Sequence, residues 1–539
     1  MFFNLSIFIL YFFIVLFSTL GYGIFINRYF KIYISDVSTG IIGISGIIFL
    51  TLISYLSNIF FSHNVYHNSI LVLLGLFFFF YYFQKNRTFL KKEIIKILSL
   101  SFLLIVALLI SKNNEDFGYY HFAYIVNLIE NKIQFGLANF NSGFGTHSSI
   151  FYFQSLLYLP FINYYLFNSH GLLILIFSNI FFLDNFFFKN KYNNNFIKFL
   201  SFFSFAILNI TFSRLAEYGT DRAGQILVFI LIIIFLTNLV NKVSFSKNNF
   251  KIIILLVNYI ISIKSYFIVY AALIPLSLVL KNKYYKNFWI KNTNLLFFSF
   301  LFLFIYFATN VVNTGCIIFP LNFTCYSNLF WSVPEDLVIK LNHWFELWSK
   351  AGAAPNFIVQ NEIEYTKNFN WISNWFNKYF FNKVTDYLAV IIFLIFLFFY
   401  IFRSSKVNKI NILPSFISFY TYLIILFIIW LNKHPDLRYG GYVLISLLFF
   451  IPVSLYLSKY KVICDYSNTK VLLIVCIIFL SFNLRNCYRI LNEFNRNDPY
   501  KFHNFPFYSK EYLKTNINFY SMQEPKKILG YNFFKNKNN

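Results

Sequence analysis

Charge is scarce in this chain. Asp, Glu, Lys and Arg together make 12% of 539 residues, and acids number 20 against 45 bases. A soluble globular domain carries about twice that charged fraction, so composition excludes one. The surplus of +25 is dispersed between apolar runs and forms no basic stripe, which argues against a nucleic-acid partner. Cysteine is rarer still, five in all, and no Cys or His spacing resembles a zinc site. Met1 to Phe25 lacks a basic leading region, so no cleavable signal peptide is expected, and the stretch is long enough to be the first span. Phe (79) and Tyr (41) are abundant together with Ile, Asn and Lys, as in an AT-rich coding sequence, and no aromatic cage is read from them.

What fills the chain instead is apolar runs of about the 20 residues needed to cross a bilayer. They fall at 3–26, 39–61, 70–84, 96–110, 168–188, 196–212, 223–240, 251–280 as a broken pair, 294–309, 386–402, 411–430, 440–457 and 468–484. Lysine and arginine crowd alternate loops, from Arg28 and Lys31 to Lys459, Lys461 and Lys470, and the positive-inside rule puts those loops in the cytoplasm. The alternation closes only if 149–166 does not span, which Ser148, Ser149, Gln154 and Pro160 allow; a helix lying at the interface is expected there. The expected fold is therefore an all-α integral membrane bundle of about 12–14 transmembrane helices, with outer-face loops and interfacial helices. It divides into a four-span module 1–110, a core 111–484 and a polar outer-face tail 485–539. The amino terminus and the loops 111–148, 213–222, 310–385 and 432–439 share the outer face.

Nearly every unusual polar cluster lies on those loops. Glu115-Asp116-Phe117-Gly118-Tyr119-Tyr120-His121 sets two adjacent carboxylates just past an apolar segment. In Arg214-Leu215-Ala216-Glu217-Tyr218-Gly219-Thr220-Asp221-Arg222, the acids Glu217 and Asp221 are suited to a metal, to an acceptor, or to ion pairs with Arg214 and Arg222. His434-Pro435-Asp436-Leu437-Arg438-Tyr439-Gly440-Gly441 offers an Arg fork for a phosphate, or a structural Asp436–Arg438 pair. Lys264 interrupts 251–280 near its middle, where an ammonium is expensive. If 251–263 and 266–280 are half-length helices, Lys264 stands at the outer tip of a hairpin, snorkelling or facing a phosphate. Cys316 and Cys325, on the oxidising side, are expected to form a disulfide, with Cys464, Cys476 and Cys487 unpaired. The stretch from Trp331 through Trp348 to Trp371 and Trp375 reads as helices anchored by interfacial Trp, or as the roof of a carbohydrate or lipid site.

Together with Gly136-Leu137-Ala138-Asn139, Phe144-Gly145-Thr146-His147-Ser148-Ser149 and the Ile263-Lys264-Ser265 break, these clusters carry a likeness across residues 111–442. The chain resembles the GT-C superfamily of membrane glycosyltransferases, such as the protein O-mannosyltransferases and the aminoarabinose transferases of lipid A. It is more similar still to a group of bacterial multispan proteins encoded with surface-polysaccharide genes. The resemblance implies a GT-C-like bundle in a bacterial inner membrane, with its active site on the periplasmic face. It implies a catalytic base in the first large outer loop, here Asp116; the second-loop acid maps to Glu217 or Asp221, and the hairpin lysine to Lys264. Two features depart from the pattern: four spans precede the acid motif instead of one, and Ser265 and Tyr266 follow Lys264 in place of a small Gly-containing turn.

The expected activity is transfer of a sugar from a polyprenyl-phosphate donor to a cell-envelope glycan, lipid or protein acceptor. Asp116 is the expected general base with Glu115 in reserve, and His121, His147, Glu217, Asp221, Lys264, Asp436 and Arg438 are expected to bind substrate. Arg438 and Lys264 would bear the leaving phosphate, and a one-step displacement inverts the anomeric centre. No cofactor is called for, and a divalent cation at Glu217 and Asp221 stays open. Two rivals share the composition. One is a flippase or transporter of lipid-linked glycans, for which only Lys264 and Asp184 lie within spans. The other is an O-antigen-type polymerase or ligase driven by Arg438 without a carboxylate base.

Overall fold

The computed structural model describes residues 2–110, 116–160, 167–187, 194–217, 220–240, 247–279, 285–354, 359–402, 414–460, 469–495 and 525–534. A helix satisfies its own backbone polar groups, which is what a segment surrounded by hydrocarbon requires. Among the described residues nine helices are long and apolar enough to cross a membrane, and Asn195–Thr211, Ser265–Val279 and Gly441–Leu457 are shorter apolar segments. The protein is a multispan helical membrane protein. Its one described sheet is a two-stranded antiparallel hairpin, β1 (Lys526–Ile528) and β2 (Tyr531–Phe533), absent from the all-α expectation.

The helices run α1 (Phe2–Tyr29), α2 (Thr39–Phe60), α3 (Val65–Lys85), α4 (Arg87–Leu104), α5 (Phe122–Glu130), α6 (Ser149–Ser155), α7 (Phe167–Phe187), α8 (Asn195–Thr211) and α9 (Thr220–Val240). There follow α10 (Lys247–Ile263), α11 (Leu273–Val279), α12 (Thr293–Thr314), α13 (Glu335–Lys350), α14 (Thr385–Phe402), α15 (Pro414–Lys433), α16 (Gly441–Leu457) and α17 (Thr469–Asn495). Helices apolar all round belong inside a bundle. Accordingly α2, α7 and α9 are almost wholly enclosed, whereas α3, α14 and α15 form its periphery and expose Phe77, Phe393 and Ile425.

Alternation of the spans gives the bundle two chemically distinct ends. At the lysine-rich end, Asp184 near the end of α7 accepts hydrogen bonds from Ser38 (2.6 Å) and Lys96 (2.7 Å). At the opposite end lie Asp116, Asp221, Lys264 and Arg438.

Three expectations about that end need correction. First, the non-spanning helix expected over 149–166 is reduced to α6, and it is enclosed by protein instead of lying on the surface of the bundle: all seven of its residues are buried against α2, α5 and α7, while 161–166 lie outside the described residues. Second, the chain breaks at Lys264 as expected and the return, the tight 3-10 segment Ser265–Ala272 followed by α11, packs back on α10, but the first leg is longer than expected because α10 starts at Lys247 and not at 251. Third, Trp371 and Trp375 are buried instead of sitting as interfacial anchors.

The Cys316–Cys325 disulfide is formed, while Cys476 and Cys487 are free and exposed; Cys464 lies outside the described residues. In the expected tail, α17 continues to Asn495, well past residue 484. The β-hairpin then returns to the cavity end and clamps the segment before α6. Phe135 N–H donates to the Asn532 carbonyl (2.9 Å), Phe534 N–H donates to the Phe135 carbonyl (2.9 Å), and the Phe135 and Phe533 rings stack. Gly136, at φ +72°, allows this approach, since a Cβ there would lie 2.4 Å from the Phe534 carbonyl oxygen.

Candidate active site

Asp116 opens a single π-helical turn, Phe117–His121, that leads into α5. Such turns are rare and gather at functional sites. The turn is tied to the loop that follows α5: Asn141 donates its side-chain amide to the Tyr119 carbonyl (2.9 Å), and the Tyr119 hydroxyl bonds Ser142 (2.9 Å). Asp221 stands in the first turn of α9, and Lys264 is the one extended residue between α10 and the 3-10 return.

Arg438 sits in the α15–α16 connection, held by an unusual number of hydrogen bonds. Asp436 accepts from the Arg438 backbone N–H (2.9 Å) and from the Tyr379 hydroxyl. Trp375 and Trp430 donate their indole N–H groups to the Pro435 and Asp436 carbonyls (2.9 and 2.8 Å). Gln225, wholly buried one turn after Asp221, donates to the Arg438 carbonyl (2.9 Å) and accepts from Val443 N–H (3.1 Å). Gly440, at φ +95°, lets the chain turn into α16.

The result is a four-member charge cluster. Arg438 bridges both acids, Nη2 to Asp116 Oδ2 and Nε to Asp221 Oδ2, each at 3.2 Å. Lys264 Nζ approaches Asp221 Oδ1 at 3.9 Å, beyond hydrogen-bond length. Burial works against the Arg438 charge, but Asp221, Tyr439, Asp436 and Asp116 outweigh it and hold the guanidinium protonated. The four side chains line one cavity of about 1170 Å³. Tyr266, Tyr270, Tyr306, Trp344, Trp348 and Trp430 supply much of its wall, with Lys433 and His434 at the end of α15. Trp344 and Trp348, one turn apart on α13, stack with centroids 6.3 Å apart, and the Arg438 guanidinium lies 5.5 Å from the Trp348 ring.

Not every expected site residue reaches the cavity. Asp116, His147, Asp221, Lys264 and Arg438 line it. His121 does not: it is buried in the π turn with its ring 4.9 Å from that of Phe151. Asp436 is a buried cap whose carboxylate serves its own loop, and burial raises its affinity for a proton. Its partners are the Arg438 backbone and the Tyr379 hydroxyl and not the guanidinium, so it does not line the cavity as a substrate-binding acid and forms no Asp436–Arg438 ion pair. Glu115 and the Glu217 and Arg214 side chains lie outside the described residues.

No group of three or more His, Cys, Asp or Glu residues suited to a metal occurs among the described residues. A dication at Asp221 would meet Arg438 and Lys264, which already neutralise it. Gln225 and Tyr379 escaped the sequence reading, and Trp375 was read as an anchor or roof residue and not as a support of the Arg438 loop. The one available signal was an amide four residues after Asp221 in an otherwise apolar helix, the spacing that puts both on one face.

His147 carries a testable pH dependence. Burial and the nearby Lys264 charge lower its proton affinity to a pKa of about 3, from 6.5. Between those values the unfolded chain takes a proton that the folded chain refuses. Stability is thus full above pH 6.5 and falls by about 1.4 kcal/mol per pH unit on acidification. Melting temperatures from pH 7.5 to 4.5 are expected to fall less steeply for His147→Phe than for wild type; parallel slopes would contradict a buried neutral imidazole.

A family model described as Domain of unknown function (DUF8201) matches residues 5–445. No curated protein and no solved structure matches the chain.

Proposed function

Because the chain belongs to the DUF8201 family, whose description carries no activity, we propose from the site alone that the protein is an inverting membrane glycosyltransferase. In this reading a GT-C-like bundle of 12 to 14 crossings moves a sugar from a polyprenyl-phosphate donor to a cell-envelope acceptor at the periplasmic face of a bacterial inner membrane. The observation that carries it is the meeting of Asp116, Asp221, Lys264 and Arg438, up to 322 residues apart, in one aromatic-walled cavity.

The chemistry uses both signs of charge. The Asp116 carboxylate takes the proton of an acceptor hydroxyl as its oxygen bonds the anomeric carbon. The bond from that carbon to the phosphate oxygen breaks, its electron pair stays on the phosphate, and polyprenyl phosphate departs. Arg438 and Lys264 stabilise the charge that grows there. Asp221, only 9% exposed, holds both cations in position. A flippase reading gains less support: Asp184 and Lys264 lie at opposite ends of the bundle, and Asp184 is committed to Lys96 and Ser38.

Two experiments test the proposal. Purified protein in nanodiscs is expected to release polyprenyl phosphate from a polyprenyl-phosphate sugar only when an acceptor glycan, lipid or peptide extract of the cell envelope is added; an unconsumed donor would overturn it. In intact cells, a cysteine replacing Ser327 is expected to react with a membrane-impermeant maleimide, and one replacing Lys85 only after permeabilisation. The reverse pattern would turn the cavity to the cytoplasm and defeat the periplasmic reading.

A further inference from the structure

Two buried polar groups lining the cavity lack protein partners. His147 is 2% exposed, and neither ring nitrogen has a hydrogen-bond partner in the protein. Asp221 Oδ1 is likewise without one, Lys264 Nζ being 3.9 Å away. Buried polar atoms in native proteins are nearly always satisfied, and each exception calls for a bound group or water. The remaining capacities are specific. A carboxylate oxygen only accepts, an ammonium only donates, and a neutral imidazole does one of each.

We propose that His147, Asp221 and Lys264 form the subsite for the sugar ring of the donor and select an uncharged pyranose through neighbouring hydroxyls. One hydroxyl donates to Asp221 Oδ1 and accepts from Lys264, and the next exchanges hydrogen bonds with His147. This inference rests on the glycosyltransferase reading and adds to it the class of sugar.

The same groups argue against other occupants. A phosphate filling this subsite would meet the Asp221 carboxylate, so the donor's phosphate belongs on the side of the more exposed Arg438 fork, where the Lys264 ammonium, with three donors, can serve it as well as the sugar. A uronic acid would set its carboxylate against Asp221, and an amino sugar its ammonium against Lys264. His147 is held neutral by burial and by Lys264, so it reads hydroxyl groups without attracting anions. The Tyr306 and Tyr124 rings, 5.2 and 6.1 Å from the imidazole, fix its orientation.

The test measures binding apart from turnover. The full chain in nanodiscs is titrated with bare polyprenyl monophosphate and with the same lipid carrying glucose, galactose, mannose, N-acetylglucosamine or glucuronic acid. At least one of the four neutral sugars is expected to tighten binding by about 10-fold over the bare lipid, with no gain for glucuronic acid, since a site built for hydroxyls discriminates by their presence. His147→Phe is expected to bind the bare lipid as wild type does and to lose the gain. Should that variant fold poorly, single-deoxy versions of the preferred sugar on wild type serve instead, at least one losing the gain. Equal binding of bare and neutral glycosyl lipids, a gain for glucuronic acid, or a gain untouched in His147→Phe and across the deoxy series would each overturn the subsite. A gain that behaves as expected without any turnover would sink the transferase reading and leave the subsite standing.

Discussion

Asp116→Asn lowers sugar transfer by about 10²- to 10⁴-fold, with donor affinity and melting temperature close to wild type. The amide keeps the size of the carboxylate, and its oxygen can still accept from Arg438, but it cannot take the acceptor proton. Stability hardly changes because the Asp116–Arg438 pair is substantially exposed, 34% and 43% by side chain, and such pairs contribute about 0–1 kcal/mol. Initial rates at saturating donor decide the matter. A variant within about five-fold of wild type would remove Asp116 from the proton transfer, where a general base is worth at least about 100-fold.

Arg438→Ala has a broader effect, lowering turnover by at least about 10²-fold and melting temperature as well. The loss strips the developing phosphate of its strongest donor and leaves the buried Asp221 carboxylate with Lys264 at 3.9 Å as its nearest cation. Asp221 is buried although Arg438 is 43% exposed, and leaving a buried acceptor without its partner costs about 1–3 kcal/mol. Arg438→Lys restores little, because an ammonium is a single point of charge and cannot reach two carboxylates as the guanidinium fork does. Comparing the two sites also separates mechanisms: an Arg-driven ligase loses activity in Arg438→Ala but keeps it in Asp116→Asn. Since Arg438 touches Asp116, the double variant should cost less than the two single losses combined; full additivity would mean that the residues act apart.

The cluster was legible in the sequence for a physical reason. A charge that interrupts or abuts hydrocarbon is costly, so Asp116, Asp221, Lys264 and Arg438 stand out against an apolar background. The alternation of basic loops then assigns all four to one end. Which way a loop side chain turns is a different matter. His121 and His147 look alike in the sequence, yet one is packed inside a π turn and the other lines the cavity. Asp436 resembled a binding acid because a carboxylate that caps its own loop has the same composition as one that meets a ligand. Gln225 was easily passed over because a neutral amide inside an apolar helix carries no topological signal beyond its spacing from Asp221; its importance comes from the Arg438 carbonyl and the Val443 N–H it meets after folding. The start of the first hairpin leg was misplaced because Lys247 reads as a loop charge, although it opens α10.

The clamp of Phe135 by the β-hairpin sets an order of events during synthesis. The segment ahead of α6 emerges from the ribosome some four hundred residues before Asn532 and Phe534, with which it exchanges backbone hydrogen bonds. The described crossings from α1 to α17 can therefore be inserted while this side of the cavity is still without its brace. The charged residues of the cavity are therefore translated well before the strand that braces the neighbouring segment, so a nascent chain caught between the two stages holds them without that brace.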